Sequence, residues 1–226
     1  MNIGAGAGAY EPADRDVMAV EPSQVMVAQR PFGSAPVVNA LAERLPFADD
    51  SFDAAMVVLS DFHWTDRLQG VRELARVARS RVVLFTWDPG FIETFWLARD
   101  YLPGLRRLPA KPAAELVDEL ADTRVEIVPI PHDCHDGFVG AFWTRPHAYL
   151  DPIVRAGMSV ITLLESSELD AGLRRLRARH HHQLAPIHEP HAHGRTVAFT
   201  LHEVVAPEPR TNKPCLARLV HNASSR

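Results

Sequence analysis

The sequence predicts an α/β fold built around a mostly parallel sheet. Short apolar runs alternate with segments of helical periodicity, which is typical of right-handed strand–helix–strand units. A glycine-rich stretch, Gly4-Ala5-Gly6-Ala7-Gly8, begins just after Ile3, and a second apolar run over residues 17–20 ends in Glu21. A glycine turn and an acid at the carboxyl ends of neighbouring parallel strands are typical of sheets that bind nucleotides.

The composition is that of an ordinary globular protein. The chain has 226 residues, of which 46% are hydrophobic and 23% are charged, enough for one sizeable domain and an additional element. Its formal net charge of -4 argues against nucleic-acid binding, and no apolar run reaches the roughly 20 residues of a membrane span. Because no signal peptide is recognisable, we expect a cytoplasmic protein in which Cys134 and Cys215 are free thiols.

Apolar runs bounded by turn residues predict the strands. The first is short for a buried strand, and the unbroken apolar run at residues 54–59 is the clearest parallel strand. The last is rich in β-forming residues and is expected to pair at the edge of the sheet. In chain order the predicted strands cover residues 1–3, 17–20, 37–38, 54–59, 81–86, 125–130 and 196–205.

Helical periodicity and capping residues predict the helices. Pro12 limits the first to one or two turns, while Ser23 and Asp66 cap the second and third. Val25 and Met26, on the second helix, are expected to face the sheet. The predicted helices cover residues 10–16, 22–29, 66–78, 91–101, 112–121, 148–156 and 169–179.

An ordered set of short motifs covers residues 2–90. The motifs are Gly4-Ala5-Gly6-Ala7-Gly8, Val20-Glu21-Pro22-Ser23, Ala42-Glu43-Arg44-Leu45-Pro46-Phe47, Ser51-Phe52-Asp53-Ala54, His63-Trp64, Glu73-Leu74-Ala75-Arg76-Val77 and the run at residues 83–88. In their order and spacing the chain resembles the class I S-adenosylmethionine (SAM)-dependent methyltransferases, specifically the small-molecule, UbiE-like (type 11) group.

The resemblance implies a Rossmann-like doubly wound sheet, mostly parallel with an antiparallel last strand, whose first strand is truncated here. It implies one methyltransferase-like domain over residues 1–206, with the core motifs at 2–90 and a less regular substrate-side part at 91–206. Residues 207–226 lack periodicity and are expected to form a disordered tail.

The resemblance also implies a SAM cofactor and a small-molecule methyl acceptor. The glycine turn passes close to the methionine part of SAM, and Glu21 accepts hydrogen bonds from both ribose hydroxyls. Met26 packs near the adenine, whose edge faces the turn at Ala42 and Glu43. The implied cofactor-binding residues are Gly4, Ala5, Gly6, Gly8, Glu21, Pro22, Met26, Ala42, Glu43 and Leu59. The loop after the fourth strand borders the methyl group, and His63 in that loop is the candidate base because imidazole titrates near neutral pH. The alternative is a histidine that only hydrogen-bonds within its loop.

Some positions depart from the family pattern. Asn2 stands where an acid usually precedes the glycines, and Leu41 aligns with the acid that contacts adenine, which leaves Glu43 as the nearest substitute. These departures keep open a second function, a degenerate non-catalytic interaction module. A NAD-dependent Rossmann oxidoreductase is more remote, because it fits the glycine turn and Glu21 but not residues 42–53.

Two histidine clusters raise the question of a metal site. His132 and His135 flank Cys134, and residues 180–182 are three consecutive histidines. Neither cluster has the paired spacing of a closed zinc site, so we predict no metal site and a solvated surface tract.

An aromatic group follows the core motifs. Phe91, Phe95 and Trp96, together with Trp64, could line an apolar acceptor pocket or contact a sulfonium cation. Such a group is more often plain core, and core is what we expect.

Overall fold

The computed structural model describes residues 1–87, 89–108, 123–182 and 195–201. These residues divide into two units. Unit 1 is Met1–Trp87 with the described parts of Pro112–Val128 and Val197–Arg226, and unit 2 is the described parts of Asp88–Lys111 and Pro129–Thr196. A single domain over residues 1–206 stays a prediction.

A sheet forms the centre of unit 1. Its described strands are β1 (Asn2–Ile3), β2 (Ala19–Val20), β3 (Val37–Val38), β4 (Phe52–Val58), β5 (Ala78–Trp87), β6 (Thr123–Pro129) and β7 (Arg195–Leu201). Their order is β3-β2-β1-β4-β5-β7-β6. β1 pairs in parallel with β2 and β4, β2 with β3, and β4 with β5, which confirms the mostly parallel, Rossmann-like sheet. The antiparallel last strand stays a prediction.

The strand order reverses at β1, because the chain goes from β1 outward to β2 and β3 and then returns to the other side at β4. Ligands of open α/β sheets bind outside the carboxyl ends of the strands at such a reversal. The topology therefore puts the candidate site at the carboxyl ends of β1, β2 and β4, where the glycine-rich stretch and Glu21 lie.

The described α-helices are α1 (Gln24–Ala28), α2 (Arg67–Val77), α3 (Pro89–Thr94), α4 (Pro152–Ala156) and α5 (Ser166–His182). The first two begin directly after the predicted caps, Ser23 and Asp66. Ser23 Oγ accepts a hydrogen bond from the Met26 N–H at 3.3 Å, and Asp66 Oδ1 accepts one from the Gln69 N–H at 2.9 Å. Each cap satisfies a main-chain donor that the first helical turn leaves without a partner.

The core of unit 1 joins α2 to the sheet. Val71, Leu74 and Val77 of α2 are fully buried and belong to one apolar cluster with residues of β1, β4 and β5. Trp64 packs against α2 at Gly70, where an added Cβ would lie 2.4 Å from the ring atom Cε3. Trp64 is thus part of this core, as expected.

Several element predictions are wrong. Residues 10–16 form turns instead of a helix, because Pro12 and the acids around it favour turns over a helix this short. Val25 and Met26 are 68% and 36% exposed, since α1 has only five residues and buries none of them. β7 lies between β5 and β6 instead of at the edge of the sheet, a position that suits its continuous β-forming sequence.

Other predictions are changed in detail or fall outside the described residues. The helix expected at residues 91–101 is split into α3 and a π-helical turn, Leu97–Tyr101. The predicted helix at 112–121 and the disordered tail at 207–226 lie outside the described residues. Within the described part of the chain, no helix is long and apolar enough to cross a membrane. The cytoplasmic location stays a prediction.

Aromatic side chains form the core of unit 2. The Phe95 and Trp96 rings are 5.5 Å apart, and Trp96 is 5.7 Å from Tyr149. The indole N–H of Trp96 donates to the Trp143 carbonyl at 2.9 Å, which satisfies a buried donor. The aromatic residues that the sequence placed here are all at most 4% exposed: Phe91, Phe95 and Trp96. The expectation that they are core is confirmed.

Candidate cofactor site

The glycine-rich stretch forms a tight turn after β1. Gly4, Gly6 and Gly8 have φ angles of 65°, 53° and 86°, values that residues with a Cβ rarely adopt. Gly4 also lacks room for a side chain, because an added Cβ would lie 2.3 Å from Ser60 Oγ. Ala5 is buried, and its N–H donates to the Val20 carbonyl of β2 at 3.0 Å. The turn therefore lies against the ends of both β2 and β4.

Glu21 faces this turn from the end of β2. Its Oε2 accepts a hydrogen bond from the Gly6 N–H at 2.8 Å, and its Oε1 accepts one from the Ser23 N–H at 2.8 Å. The residue is only 6% exposed. A carboxylate offers about four acceptor positions, and these two N–H groups use one on each oxygen. Glu21 can therefore accept further hydrogen bonds from hydroxyl groups of a ligand.

A second charged group holds the turn from the other side. The Arg30 guanidinium donates from Nη1 to the Gly6 carbonyl at 3.2 Å. Its Nη2 donates to Glu11 Oε1, and the same nitrogen donates to the Ala35 carbonyl at 2.9 Å. Glu11 Oε2 accepts from the Ala35 N–H at 3.1 Å. We call Arg30, Glu11, Gly6 and Ala35 the glycine-loop cluster. Nothing in the spacing of these residues along the sequence relates them.

The segment after β3 supplies the next part of the site. The Asn39 amide donates from Nδ2 to the carbonyls of Glu21 and Pro22 at 2.9 and 2.8 Å, which joins the ends of β2 and β3. Ala42 is buried, whereas Leu41 is 58% exposed. The Glu43 carboxylate is directed toward the start of α2, because its Oε1 accepts from the N–H groups of Thr65 and Asp66 at 2.8 and 3.2 Å. This differs from the adenine contact that the resemblance implies.

The segment after β4 carries the candidate base. Leu59 has a φ of 49°, a conformation that is strained for a residue with a side chain and often marks a functional site. His63 lies in the short 3-10 helix Asp61–His63, and its exposed ring is 4.3 Å from the Phe62 ring. Asp61 is fully buried and forms an ion pair with Arg67, which fixes the start of this segment.

Comparison with known proteins supports the same interpretation. A family model described as a methyltransferase domain matches residues 1–86. The crystal structure of a putative methyltransferase from an antibiotic biosynthesis pathway of Anabaena variabilis is 32% identical to this chain, with a TM-score of 0.73. The match covers 88% of this chain and 90% of that one. The chain belongs to the class I SAM-dependent methyltransferases.

More distant methyltransferase-fold structures match as well. A SAM-dependent methyltransferase from Thermotoga maritima, described as a possible histamine N-methyltransferase, is 23% identical, covers 57% of this chain and 66% of its own, and has a TM-score of 0.46. YcgJ from Bacillus subtilis is 18% identical, covers 90% and 91%, and has a TM-score of 0.48. Among proteins with curated descriptions, none matches this sequence.

The residues of this methyltransferase fit SAM as its cofactor. The positive φ angles of Gly4, Gly6 and Gly8 disfavour side chains at these positions, and the Ser60 contact excludes one at Gly4. Without side chains there, a ligand can approach the main chain. Beside it lies Glu21, buried and fixed by two N–H groups, as a ribose-binding carboxylate requires. Met26 adjoins the turn, with its Cε 3.3 Å from where a Gly6 Cβ would be. Among the predicted cofactor-binding residues, Glu43 is the exception, because its carboxylate bonds to the N–H groups of Thr65 and Asp66.

A further arginine fixes the methyltransferase loop between β3 and β4. Arg76 donates to Glu73 through Nε and Nη2 at 2.7 and 2.8 Å, and to the carbonyls of Phe47 and Leu45 at 2.8 and 3.2 Å. Glu73 Oε2 also accepts from the Leu45 N–H at 2.8 Å. Arg76 Nη1 contacts Asp49 Oδ1 at 2.8 Å. We call these residues the α2 cluster; it explains why the motifs around residues 42–47 and 73–77 occur together.

Of the histidine tracts, the loop at 131–137 is the one whose side chains the structure describes, and the absence of a metal site stays a prediction. Among the described residues, no group of three histidine, cysteine or acidic side chains could hold a metal ion. The loop at 131–137 is organised by Arg145, which donates to the Cys134 carbonyl and lies 4.6 Å from the centre of the Phe142 ring. Residues 180–182 end α5, and the later histidines lie outside the described residues.

Proposed function

We propose that this protein transfers the methyl group of SAM to a small-molecule acceptor. The observation that carries the proposal is the position of Glu21, whose buried carboxylate is fixed by the N–H groups of Gly6 and Ser23 at the end of β2. It stands beside a turn whose three positive-φ positions are all glycine. This pairing of an anionic acceptor with an accessible main chain suits a ligand that carries ribose hydroxyls.

The residues of the site act mainly by binding and orientation. When bound, SAM supplies a methyl group already activated on a sulfonium, so the protein has to hold the two reactants in line and exclude water. Glu21 would accept hydrogen bonds from the ribose hydroxyls, the glycine turn would face the methionine part, and Met26 would pack near the adenine. Leu59 would bring the segment after β4 to the methyl group.

His63 is the proposed base for acceptors that lose a proton on methylation. Its ring is exposed, and the residue lies in the segment that follows the carboxyl end of β4. A positioned general base contributes roughly 10²–10⁴-fold to a rate. We expect His63→Asn to lower kcat by at least tenfold while the affinity for S-adenosylhomocysteine stays within twofold. An unchanged kcat would remove His63 from the mechanism and leave the cofactor site in place.

A small organic acceptor is favoured over a macromolecule. The Anabaena variabilis protein, 32% identical over most of both chains, is described as belonging to an antibiotic biosynthesis pathway. The net charge of -4 lacks the basic character expected of a nucleic-acid-binding surface. Incubation with methyl-labelled SAM and fractionated cell extract tests this choice. Label in the small-molecule fraction supports the proposal, whereas label in protein or RNA overturns the acceptor class.

Calorimetric titration with S-adenosylhomocysteine tests the cofactor site. We expect the wild-type protein to bind it and Glu21→Gln to weaken binding by tenfold or more, because hydrogen bonds to charged groups are worth about 1.5–3 kcal/mol. Glu93→Gln is the matched control, since Glu93 is an exposed glutamate of unit 2 that pairs with Arg106. Equal loss in both variants, or binding of NADH in place of S-adenosylhomocysteine, would contradict the proposal.

A second candidate is a protein that binds SAM without transferring the methyl group. It is favoured by Glu43, whose carboxylate bonds to Thr65 and Asp66, and by Asn2, a buried neutral residue at the position of the usual acid. Binding of S-adenosylhomocysteine together with no label transfer to any fraction would support this interaction module over the enzyme.

A further inference from the structure

The segment that follows the glycine turn has no regular structure. Residues 4–18 contain turns and bends but no helix. In doubly wound sheets a helix normally begins at the glycine turn and holds it against the sheet. Here the next helix, α1, starts only at Gln24 after β2. Something other than a helix must therefore keep the turn in one conformation.

The glycine-loop cluster occupies that structural position. Its Arg30 and Glu11 side chains are only 5% and 10% exposed, although each comes from an irregular segment. One guanidinium joins three chain segments, since it bonds to Gly6 in the turn, to Glu11 beyond it and to Ala35 before β3. The Ala35 N–H closes the network on Glu11. A buried pair linked in this way is costly to separate.

The turn also packs against this pair. A Cβ added at Gly8 would lie 3.3 Å from Arg30 Nη1 and 3.4 Å from Glu11 Oε2. Gly6 contributes the opposite edge of the turn, because its N–H bonds to Glu21 while its carbonyl bonds to Arg30. The main chain of this one residue thus connects the predicted ribose acceptor to the buried ion pair.

We infer that Arg30 and Glu11 are positioning residues that hold the glycine turn in its cofactor-binding conformation, in place of the helix that this chain lacks. The inference rests on the proposed SAM site. Neither side chain is assigned a contact with the cofactor. They act through Gly6 and Gly8, whose main chain forms the predicted methionine-binding surface.

The consequence for binding follows from population. If the turn is competent in only a fraction of molecules, the apparent dissociation constant rises by the inverse of that fraction. Lysine cannot replace arginine here, because a single ammonium cannot span acceptors that the planar guanidinium reaches with two nitrogens. Arg30→Lys keeps the charge and most of the volume while removing some of the three connections.

The test measures cofactor affinity in variants that conserve charge or shape. S-adenosylhomocysteine is titrated calorimetrically into the wild-type protein, Arg30→Lys, Glu11→Gln and the matched control Arg15→Lys. Arg15 lies in the same loop, but its ion pair with Asp14 is exposed, at 62% and 43% of the two side chains. We expect a loss of affinity of about tenfold or more in the first two variants and less than twofold in the control.

A second readout separates positioning from general stability. In a methyl-transfer assay the KM for SAM should rise in Arg30→Lys, while kcat at saturating SAM stays within about twofold, because the cofactor itself selects the competent turn. Unchanged affinity in Arg30→Lys, with wild-type protein that binds S-adenosylhomocysteine, would overturn the inference and leave the proposed function standing. No binding by folded wild-type protein would overturn both. If Arg30→Lys does not fold, unchanged affinity for S-adenosylhomocysteine in Glu11→Gln would overturn the inference in the same way.

Discussion

Arg30 and Arg76 each bond to two main-chain carbonyls and to a glutamate of unit 1. The glycine-loop cluster is nearly closed to solvent, with Arg30 and Glu11 at 5% and 10% exposure. In the α2 cluster Arg76 is 29% and Glu73 12% exposed. The two clusters perform similar tasks in different dielectric surroundings.

The difference also concerns where the residues come from. Glu73 and Arg76 are three residues apart on α2, so the helix itself brings them together. Arg30 and Glu11 are 19 residues apart in segments without regular structure. The Glu73–Arg76 pair can form as soon as its helix does, whereas the glycine-loop cluster forms only when β2, α1 and the turn are all in their final positions.

Replacing each arginine by methionine should give the largest contrast. Arg30→Met leaves the Glu11 carboxylate buried without its partner, which typically costs 3–5 kcal/mol. In Arg76→Met the former partners of the arginine can bind water instead, so the free energy of unfolding should fall by only roughly 1–2 kcal/mol. Urea-induced unfolding measures both free energies. An equal or larger loss in Arg76→Met would mean that burial does not separate the two clusters.

Two glycines allow a finer test of how rigid the glycine-loop cluster is. Gly8 and Gly33 have nearly the same φ, 86° and 85°, so alanine costs about 1 kcal/mol of backbone strain at either position. Around Gly33 no atom lies within 4 Å of an added Cβ, whereas at Gly8 it meets Arg30 at 3.3 Å. We expect Gly8→Ala to lose about 0.5–1 kcal/mol more than Gly33→Ala.

The unfolding free energies of these two variants are compared directly, with Gly33→Ala as the control for backbone strain. If both lose the same amount, the guanidinium moves freely and the cluster is softer than its bonds indicate. That result would also weaken the case for Arg30 as a positioning residue.

The α2 cluster shows what the sequence could predict. Asp66 caps α2 as its position indicates, and the motifs at 42–47 and 73–77 are recognisable from the residues along the chain alone. Glu21 and the glycines lie together because parallel strands bring their carboxyl ends to one edge. Each of these predictions rests on local spacing or on strand order, both of which can be read along the chain.

The glycine-loop cluster shows why the rest could not be predicted. Arg30 and Glu11 look like ordinary surface residues in polar segments, and their burial depends on how the turns over residues 10–16 fold. The exposure of Val25 and Met26 has a separate cause, because α1 has only five residues and buries none of them. The contacts of Glu43 could not be predicted from its position in the motif either, because its partners Thr65 and Asp66 are more than 20 residues away.

The pH dependence of the α2 cluster is a smaller effect with a defined sign. The pKa of Glu73 lies below its usual value, mainly because Arg76 hydrogen-bonds to the carboxylate and also because the Leu45 N–H does so, against the opposing effect of burial. The unfolded state then binds this proton more tightly than the folded state. The stabilisation is complete above the unfolded pKa of about 4.3 and is lost as the pH falls through the lower folded pKa.

Glu73→Gln should therefore cost about 1 kcal/mol near pH 7, and the difference from the wild-type protein should shrink below about pH 4.3. Unfolding free energies measured from pH 7 to pH 3 check this. A difference between the two proteins that is constant over this range would mean that the carboxylate charge does not contribute, and that Arg76 is held by shape and hydrogen bonds alone.

The smallest effect is expected from an arginine that fastens no loop. Arg79 pairs with Asp53 near the starts of β5 and β4, but the two side chains are 54% and 90% exposed. Exposed pairs contribute little, so Arg79→Ala should change the unfolding free energy by less than about 0.5 kcal/mol. Both residues lie at the amino ends of their strands, opposite the candidate site, so S-adenosylhomocysteine affinity should also stay within twofold. A loss of affinity comparable to that of Arg30→Lys would mean that any change of arginine in unit 1 loosens the site. Burial and contact with the glycine turn would then no longer distinguish Arg30.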